Sequence, residues 1–267
     1  MSSSKTENRR PDVQERGFVR PLAIWRRNVR VWRKLMWPSI LGNFGEPLLY
    51  LLAFGYGFGR LVGAIDEMPY MVFLASGIVC SNAMTTASFE SMYSAFTRMT
   101  QQLTWGSMLD APLTVDDIVT GEIVWSATKS VMSGTAILLV AVVLGLVGGW
   151  QAILVLPMIL LMGLCFGACA MVVTAVSPSY DFFLYYFTLV MTPMVLLSGV
   201  FFPLDQLPSL VGQFAFLLPL AHGVEIVRPL MTGGWPDTVF LHLLVIAGYG
   251  LAGWVLSIRI LRKRLAS

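Results

Sequence analysis

Residues Leu197–Gly234 read LSGVFFPLDQLPSLVGQFAFLLPLAHGVEIVRPLMTGG, and this stretch decides how the rest of the chain is interpreted. Four prolines divide it, and each removes a backbone donor and disfavours helix in the residue before it: Pro203, Pro208, Pro219 and Pro229. The pattern predicts two short helices, roughly Gln206–Leu218 and Ala221–Met231. A helix needs about 20 residues to cross a bilayer, so neither piece spans it alone. Because unpaired backbone cannot face lipid, we expect a re-entrant pair packed on protein or at the interface.

Outside this proline-broken pair the chain consists mainly of apolar runs. Its 267 residues are 56% hydrophobic and 12% charged, and the mean hydropathy is +0.72. This composition is typical of a polytopic membrane protein and leaves no polar stretch long enough for a soluble domain. Cys165 and Cys169 share a helix face, but no histidine lies near them. We therefore favour small-residue packing over a metal site.

A basic amphipathic helix is predicted before the first span. Apolar side chains recur there at spacings of three and four, which indicates one stripe along a helix: Leu22, Trp25, Val29, Trp32 and Met36. Basic side chains lie beside the stripe: Arg26, Arg27, Arg30, Arg33 and Lys34. Such a helix suits the membrane interface better than nucleic acid, because a span follows directly. Residues 1–35 are interpreted as a cytoplasmic tail and interface helix, which either anchors the chain or docks a partner.

Residues 36–264 are interpreted as one transmembrane domain. Six spans are predicted at roughly 38–59, 70–96, 120–147, 152–176, 182–203 and 238–259. With both termini in the cytoplasm, 16 of the 18 Lys and Arg residues lie on the inner side, and only Arg60 and Arg228 lie outside. The positive-inside rule therefore fixes the orientation. The sequence predicts an all-α, multi-pass protein of the bacterial cytoplasmic (inner) membrane, with an outer re-entrant helix pair before the last span.

Charged side chains within the spans point to function, because each costs about 2.5–3.5 kcal/mol on insertion scales. Glu46, Glu90 and Lys129 are the three candidates. Their similar predicted depth allows Lys129 to pair with either glutamate. Lys129 snorkelling to the inner surface is the alternative.

The connection Arg98–Val119 is predicted to lie in the cytoplasm. Thr104 is expected to cap a short helix, Trp105–Leu109, that stops before a proline. Thr114-x-x-Asp117 then resembles a capping box that opens the third span.

The short helix of this connection is a candidate docking site for a partner. Trp105, Met108 and Leu109 are expected to be exposed, and an exposed aromatic and methionine cluster is typical of a docking surface. An interfacial helix that rests on lipid is the alternative.

The sequence lacks the motifs that some functions require. No Gly-x-x-x-x-Gly-Lys-Ser/Thr sequence occurs, so the chain does not bind ATP through a P-loop. An intramembrane hydrolase that pairs Ser198 with His222 or His242 is a remote alternative without motif context. A passive channel is a second rival, weakened because no span carries a continuous polar stripe.

Nearly the whole chain resembles the ABC-2 type transport permeases, and among them the lipo-oligosaccharide (nodulation-factor) exporter permeases. The general resemblance lies in the interface helix, the six spans, the short cytoplasmic helix and LSGVFFPLDQLP…LPLAHGVEIVRPL. The narrower one lies in Phe73–Lys129, in FLASGIVCSNAMTTASFESMYSAFTRM and APLTVDDIVTGEIVWSATKS.

The resemblance implies a permease, not an enzyme, that works as a homodimer with two separate ATPase subunits. Those partners would bind the ATP and Mg, and this chain would hold no cofactor. The cytoplasmic helix within Gln101–Asp110 would couple to the ATPase, through Trp105, Met108, Leu109 and Asp110. A lipid-linked oligosaccharide is the implied substrate, and a drug or polysaccharide is the alternative because other members move these.

The proline-broken pair would then close the exit of the transport path. His222, Glu225 and Arg228 are its candidate lid residues, and Glu225 and Arg228 are spaced to pair on one helical turn. An interfacial anchor is the alternative role for this segment.

Overall fold

The computed structural model describes residues 19–34, 36, 45, 49–53, 55, 57, 59–65, 68–206 and 208–266. Its helices are α1 (Val19–Arg33), α2 (Gly59–Val62), α3 (Tyr70–Thr100), α4 (Thr104–Leu109), α5 (Val115–Val143), α6 (Trp150–Val176), α7 (Asp181–Leu197), α8 (Ser209–Ala215), α9 (Pro219–Thr232) and α10 (Val239–Ala266). Two short antiparallel strands, β1 (Ala64–Ile65) and β2 (Met68–Pro69), pair Ala64 with Pro69 and Ile65 with Met68.

Four described helices, α3, α5, α6 and α10, are long and apolar enough to cross a membrane. They correspond to the spans predicted at 70–96, 120–147, 152–176 and 238–259. The span predicted at 182–203 corresponds to α7, a shorter apolar helix. The span predicted at 38–59 lies mostly outside the described residues. The all-α polytopic class is therefore confirmed.

Close helix contacts follow from small side chains. Helix α6 packs against α3, α5 and α10. A Cβ added at Gly163 would lie 2.8 Å from the Ala127 Cα on α5, so only glycine permits this approach. Gly77 on α3 is equally confined, because an added Cβ would lie 2.6 Å from the Val200 carbonyl oxygen. These contacts hold the bundle together around a continuous apolar core.

The proline-broken pair forms two helices, α8 and α9, at an angle of 85°. Their bounds differ from the predicted ones because Pro208 immediately precedes α8, whereas Pro219 is the first residue of α9. Proline suits that position because its fixed φ is helical and its missing N–H has no partner there. Pro229 lies inside α9 and does not end it. Helix α9 ends at Gly233, whose φ of 86° is left-handed.

The connection between α3 and α5 confirms one predicted cap and corrects another. Thr114 and Asp117 form the capping box, with Thr114 Oγ1 accepting from the Asp117 N–H and Asp117 accepting from the Thr114 N–H. Thr104 does not cap α4. It is the first helical residue, and its hydroxyl donates to the Arg98 carbonyl at 3.0 Å. The residue before α4 is Leu103, with a left-handed φ of 51°.

Candidate functional site

A network of buried charges joins α1, α3 and α5. Arg98 lies at its centre, and its Nε and Nη2 donate to the two oxygens of Glu122 at 2.9 and 2.6 Å. Arg98 Nη2 also donates to Glu90 Oε1 at 3.0 Å. Such a two-point contact between a guanidinium and a carboxylate is strong and geometrically specific. One guanidinium thus pairs with a carboxylate from each of two helices.

Neutral and cationic donors complete the pairing of both carboxylates. Asn28 Nδ2, from α1, donates to Glu122 Oε2 at 3.0 Å. Trp125 Nε1 donates to Glu90 Oε1 at 2.9 Å, and Lys129 Nζ lies 3.7 Å from Glu90 Oε2. Buried charges persist only when paired and hydrogen-bonded, and these contacts meet that need. We name Asn28, Glu90, Arg98, Glu122, Trp125 and Lys129 the charged network.

The sequence analysis found part of this network. It selected Glu90 and Lys129, which the structure brings together, whereas Glu46 lies outside the described residues. It counted Arg98 as a cytoplasmic charge and did not consider Glu122. A signal was present, because Glu122, Trp125 and Lys129 recur at spacings of three and four, which is one helix face.

The amphipathic helix predicted before the first span is present as α1 and packs on α5. Trp25 Nε1 donates to the Thr128 hydroxyl at 2.9 Å, and the Trp32 and Trp125 rings meet edge to face at 6.3 Å. Three of its arginines are exposed: Arg26, Arg30 and Arg33. Arg27 is half-buried, and its Nη1 donates to Asn28 Oδ1 at 3.1 Å. The basic side of the helix is therefore divided, with one arginine turned toward the charged network.

The exposed residues of helix α4 differ from those predicted to form its docking surface. Trp105 is only 1% exposed, so the expectation that it is available to a partner is wrong. Met108 and Leu109 are half-buried against the core, and Asp110 is exposed. The reason is the fold of the connection, since the Thr104 hydroxyl bonds the end of α3 and turns Trp105 inward. The outward side of α4 carries other residues: Gly106, Ser107 and Asp110, next to Leu103.

Two histidines meet between α9 and α10. His222 Nδ1 lies 2.6 Å from His242 Nδ1, and His222 Nε2 lies 2.8 Å from the Phe216 carbonyl oxygen. That carbonyl can only accept, so His222 Nε2 carries a proton and, in the neutral ring, Nδ1 accepts from His242. His242 Nε2 then accepts from the Thr238 hydroxyl at 3.2 Å. We name Phe216, His222, Thr238 and His242 the histidine network.

The hydrolase alternative lacks its required contact. A serine nucleophile needs a base within hydrogen-bond reach. The described partners of His222 and His242 are one another, Phe216 and Thr238, and the buried Ser198 hydroxyl bonds to no described residue. Among the described residues, no group of three or more His, Cys, Asp or Glu side chains is placed to hold a metal.

Arg228 fixes α9 to the start of α3. Its Nη2 donates to the Gly199 carbonyl at 2.5 Å, its Nε donates to the Ser76 hydroxyl at 3.2 Å, and its guanidinium lies 3.6 Å from the centroid of the Phe73 ring. The ion pairs between described residues do not include the predicted one with Glu225. A packed ring and a carbonyl engage the guanidinium instead, on a face of α9 that points into the bundle.

A cavity of about 640 Å³ opens between α3 and α7, and we name it the main cavity. Much of its wall is apolar and aromatic, including Ile78, Phe89, Phe187 and Met191. Ser81, Asn82 and Thr85 add polar groups along one face of α3. Asn82 is held in place because its Oδ1 accepts from the Ser133 hydroxyl at 2.7 Å. The cavity is amphipathic and large enough for a lipid-like or drug-sized molecule.

Comparison with known proteins identifies the family. The chain matches the ABC-2 type transporter family over residues 22–232 and belongs to that family. It is 48% identical to Nodulation protein J of Rhizobium leguminosarum bv. viciae, over 93% of this chain and 96% of that protein. It is 44% identical to Nodulation protein J of Rhizobium meliloti (strain 1021), over 91% and 93%. The inner membrane transport permease YadH of Escherichia coli (strain K12) is 24% identical over 76% and 79%.

These relationships confirm the resemblance that the sequence carried. The family and its relatives support a membrane permease of an ABC transporter, consistent with several apolar helices and with a chain that is not an enzyme.

Proposed function

We propose that the chain is the permease subunit of an ATP-driven exporter that moves a lipid-linked oligosaccharide out across the cytoplasmic membrane. The main cavity is the observation that carries this proposal, because it combines an apolar wall with a short polar strip. An acyl chain would lie against the wall formed with α7. The sugar would meet Ser81, Asn82 and Thr85, which lie on one face of α3. The resemblance to the lipo-oligosaccharide exporter permeases, which the relatives called Nodulation protein J support, favours an oligosaccharide over other amphipathic substrates.

Asn82 is the most specific group in the proposed sugar contact. Ser133 engages its oxygen, and its amide nitrogen makes no hydrogen bond to a described residue. A half-buried amide nitrogen with two N–H groups is a suitable donor to sugar hydroxyls. Thr85 follows three residues later, so both side chains can face one ring system.

Reconstitution with the partner ATPase tests the substrate assignment. We expect an acylated oligosaccharide, and not its deacylated form, to stimulate ATP hydrolysis. Asn82→Leu and Thr85→Val should each raise the half-stimulating concentration by about fivefold, the effect of one lost hydrogen bond. Thr86→Val is the matched control, because Thr86 is buried and does not line the main cavity. Stimulation by a drug or by a lipid-free polysaccharide instead would favour the alternative exporters.

The separate ATPase is proposed to dock on the outward side of α4. Burial of Trp105 moves the docking surface to Leu103, which is 65% exposed, and to Ser107 and Asp110. Because Thr104 bonds the Arg98 carbonyl, movement of α4 would reach the charged network directly. Ser107→Arg should abolish copurification of the ATPase, and Ser209→Arg, an equally exposed change on α8, should not. Equal copurification of both variants would contradict this docking surface.

A second copy of the chain is proposed to cover the main cavity at α7. Exposed apolar side chains on α7 support this: Leu184, Tyr185 and Leu189. After replacement of Cys80, Cys165 and Cys169, a cysteine at Leu189 should cross-link two copies. A cysteine at Leu251, an exposed leucine on α10, should not cross-link. The reverse result would place the dimer contact at the last span.

The α8–α9 pair is proposed to be an outer lid over the exit of the path, with both chain termini in the cytoplasm. Its 85° bend and the anchoring of Arg228 on α3 support a re-entrant pair rather than a crossing. Single cysteines at Gln213 and Thr232 should both react with an impermeant thiol reagent added outside. Labelling of one of them only from the cytoplasm would mean that the pair crosses the membrane.

A further inference from the structure

The histidine network joins the start of α9 to the first turn of α10. His222 and His242 are 4% and 8% exposed, whereas Thr238, at the end of the chain of hydrogen bonds, is exposed. The sequence contains two histidines, and both belong to this network. Neither ring lines the main cavity. Because histidine is the side chain that ordinarily changes its charge between pH 5 and 8, we considered how many protons the network can hold.

The network can hold one added proton without losing a hydrogen bond. In the neutral form, His242 Nε2 accepts from the Thr238 hydroxyl across 3.2 Å. A proton added at this nitrogen makes it a donor, and the threonine hydroxyl can rotate to accept. His242 still donates through Nδ1 to His222 Nδ1, and His222 Nε2 still donates to the Phe216 carbonyl. All four ring nitrogens therefore keep a partner while one ring is charged.

A second proton has no place in this closed arrangement. The nitrogen left to receive it is His222 Nδ1, which already accepts from His242 Nδ1 across 2.6 Å. With a proton on each of these nitrogens, two donors would face one another. Two cationic rings would also lie with their centroids 4.9 Å apart in a buried site, where water screens their repulsion weakly. The rings must separate before the second proton can bind.

The groups around the pair offset at most part of this second charge. Glu225, one helical turn after His222, is the described carboxylate that acts on His242. Arg228, further along α9, donates to Ser76 on α3. The surrounding elements bring these further titratable side chains: Tyr70 and Cys80 on α3, Cys165 and Cys169 on α6, Tyr249 on α10, and Asp237 before α10. Tyrosine and cysteine are ordinarily neutral between pH 5 and 7.5, and the carboxylate before α10 is exposed, so water screens it.

We infer that the histidine network is a pH-sensitive contact, which holds α9 on α10 with at most one added proton and releases it when both rings are protonated. The released form binds more protons than the closed form, so acid favours release. The ratio of released to closed protein should rise about tenfold for each pH unit below about 6.

Release would move the turn between α8 and α9. His222 Nε2 donates to the Phe216 carbonyl whether or not its ring is charged, so this turn follows His222 away from α10. The Tyr249 hydroxyl, which donates to the Leu217 carbonyl at 2.9 Å, is a second bond between the same turn and α10 and opposes the movement. The inference depends on the contact between α9 and α10, and on neither the proposed substrate nor the proposed lid.

A distance between two spin labels on the purified full-length permease in detergent tests this inference. After replacement of Cys80, Cys165 and Cys169, the labels are placed on cysteines at Gln213 of α8 and Leu244 of α10, which are both exposed. We expect one distance at pH 7.5 and an additional, longer distance at pH 5 that disappears when the sample returns to pH 7.5.

Two amide variants separate the histidines from other acid-sensitive groups. His242→Asn and His222→Gln should each stay closed at pH 5, because an amide can turn to offer either its oxygen or its nitrogen to the remaining ring. Tyr249→Phe is the matched control, since it removes the other bond to the turn without removing a group that titrates in this range. It should raise the ratio of released to closed protein by the same factor at every pH.

Three results would overturn the inference. An unchanged distance between pH 7.5 and 5 in the protein with both histidines would show that the pair does not open. Equal lengthening in that protein and in both amide variants would assign the change to carboxylates. A longer distance that persists after return to pH 7.5 would show acid unfolding rather than a switch. The measurement involves neither the ATPase nor a substrate, so its outcome is independent of the proposed transport function.

Discussion

The charged network and the histidine network hold helices together by different chemistry. The first lies near the end of α3, where Arg98 bridges two buried carboxylates from α3 and α5. The second joins α9 to α10 through two imidazoles, a carbonyl and a hydroxyl. Removing one partner from a charged pair strands an ion, whereas removing one from a neutral chain strands only a dipole. The charged network should therefore be rigid and the histidine network easier to open.

The largest effect is expected from Arg98→Met. This change leaves Glu90 and Glu122 buried beside one another without their shared cation, and it should destabilise the protein by about 3–5 kcal/mol. The measurement is the loss of monodisperse protein on heating in detergent. Arg262→Met is the matched control, since it breaks an exposed pair with Asp116 that water and salt already screen. Similar losses for both variants would contradict the distinction between buried and exposed pairs.

A smaller effect is expected from His242→Leu. The leucine removes the N–H that His222 Nδ1 accepts and leaves that nitrogen buried without a donor, at a cost of about 1–3 kcal/mol. The same heating assay measures it. Thr238→Val tests the last bond of the chain and should cost less, because the threonine contributes one neutral hydroxyl. If His242→Leu matches Arg98→Met, the two networks do not differ in the way proposed here.

The smallest effect concerns Lys129. Because the 3.7 Å ion pair is the longest contact of the charged network and Arg98 also binds Glu90, we expect Lys129→Met to lose about 1 kcal/mol of pairing with Glu90. A double-mutant cycle with Glu90→Gln measures the coupling between the two side chains. Additive losses would show that Lys129 and Glu90 do not interact.

The sequence predictions were accurate where a contact joins residues close together in the chain. The capping box of Thr114 and Asp117 was predictable because its partners are three residues apart. The two short helices were predictable because proline acts on its own backbone, although Pro219 at the first helical position moved a boundary. Local rules were sufficient for these elements and for the four long apolar helices α3, α5, α6 and α10.

Contacts between distant residues were harder to predict. Glu122 was missed because its partner Arg98 is 24 residues away and had been assigned to the cytoplasmic surface. Trp105 was expected outside because an apolar side chain on a six-residue helix does not reveal which face turns inward. Glu225 and Arg228 had suitable spacing, but Gly199 and Phe73 offered the guanidinium a better environment. Tertiary packing decided all three.

The two irregular turns in the bundle have a consequence for its tolerance to insertions and deletions. Residues Glu90–Ser94 of α3 and Phe187–Met191 of α7 form π-helix, and the rings of Phe89 and Phe187 meet beside them at 5.7 Å. A π turn holds one residue more than an α turn. Deleting one residue within such a turn would restore the regular pitch and leave the residues beyond it in phase, whereas deleting one from a regular turn before Arg98 would rotate everything beyond by about 100°. Arg98 would then face away from Glu122. The helix must therefore keep its rotational phase for these two charges to meet.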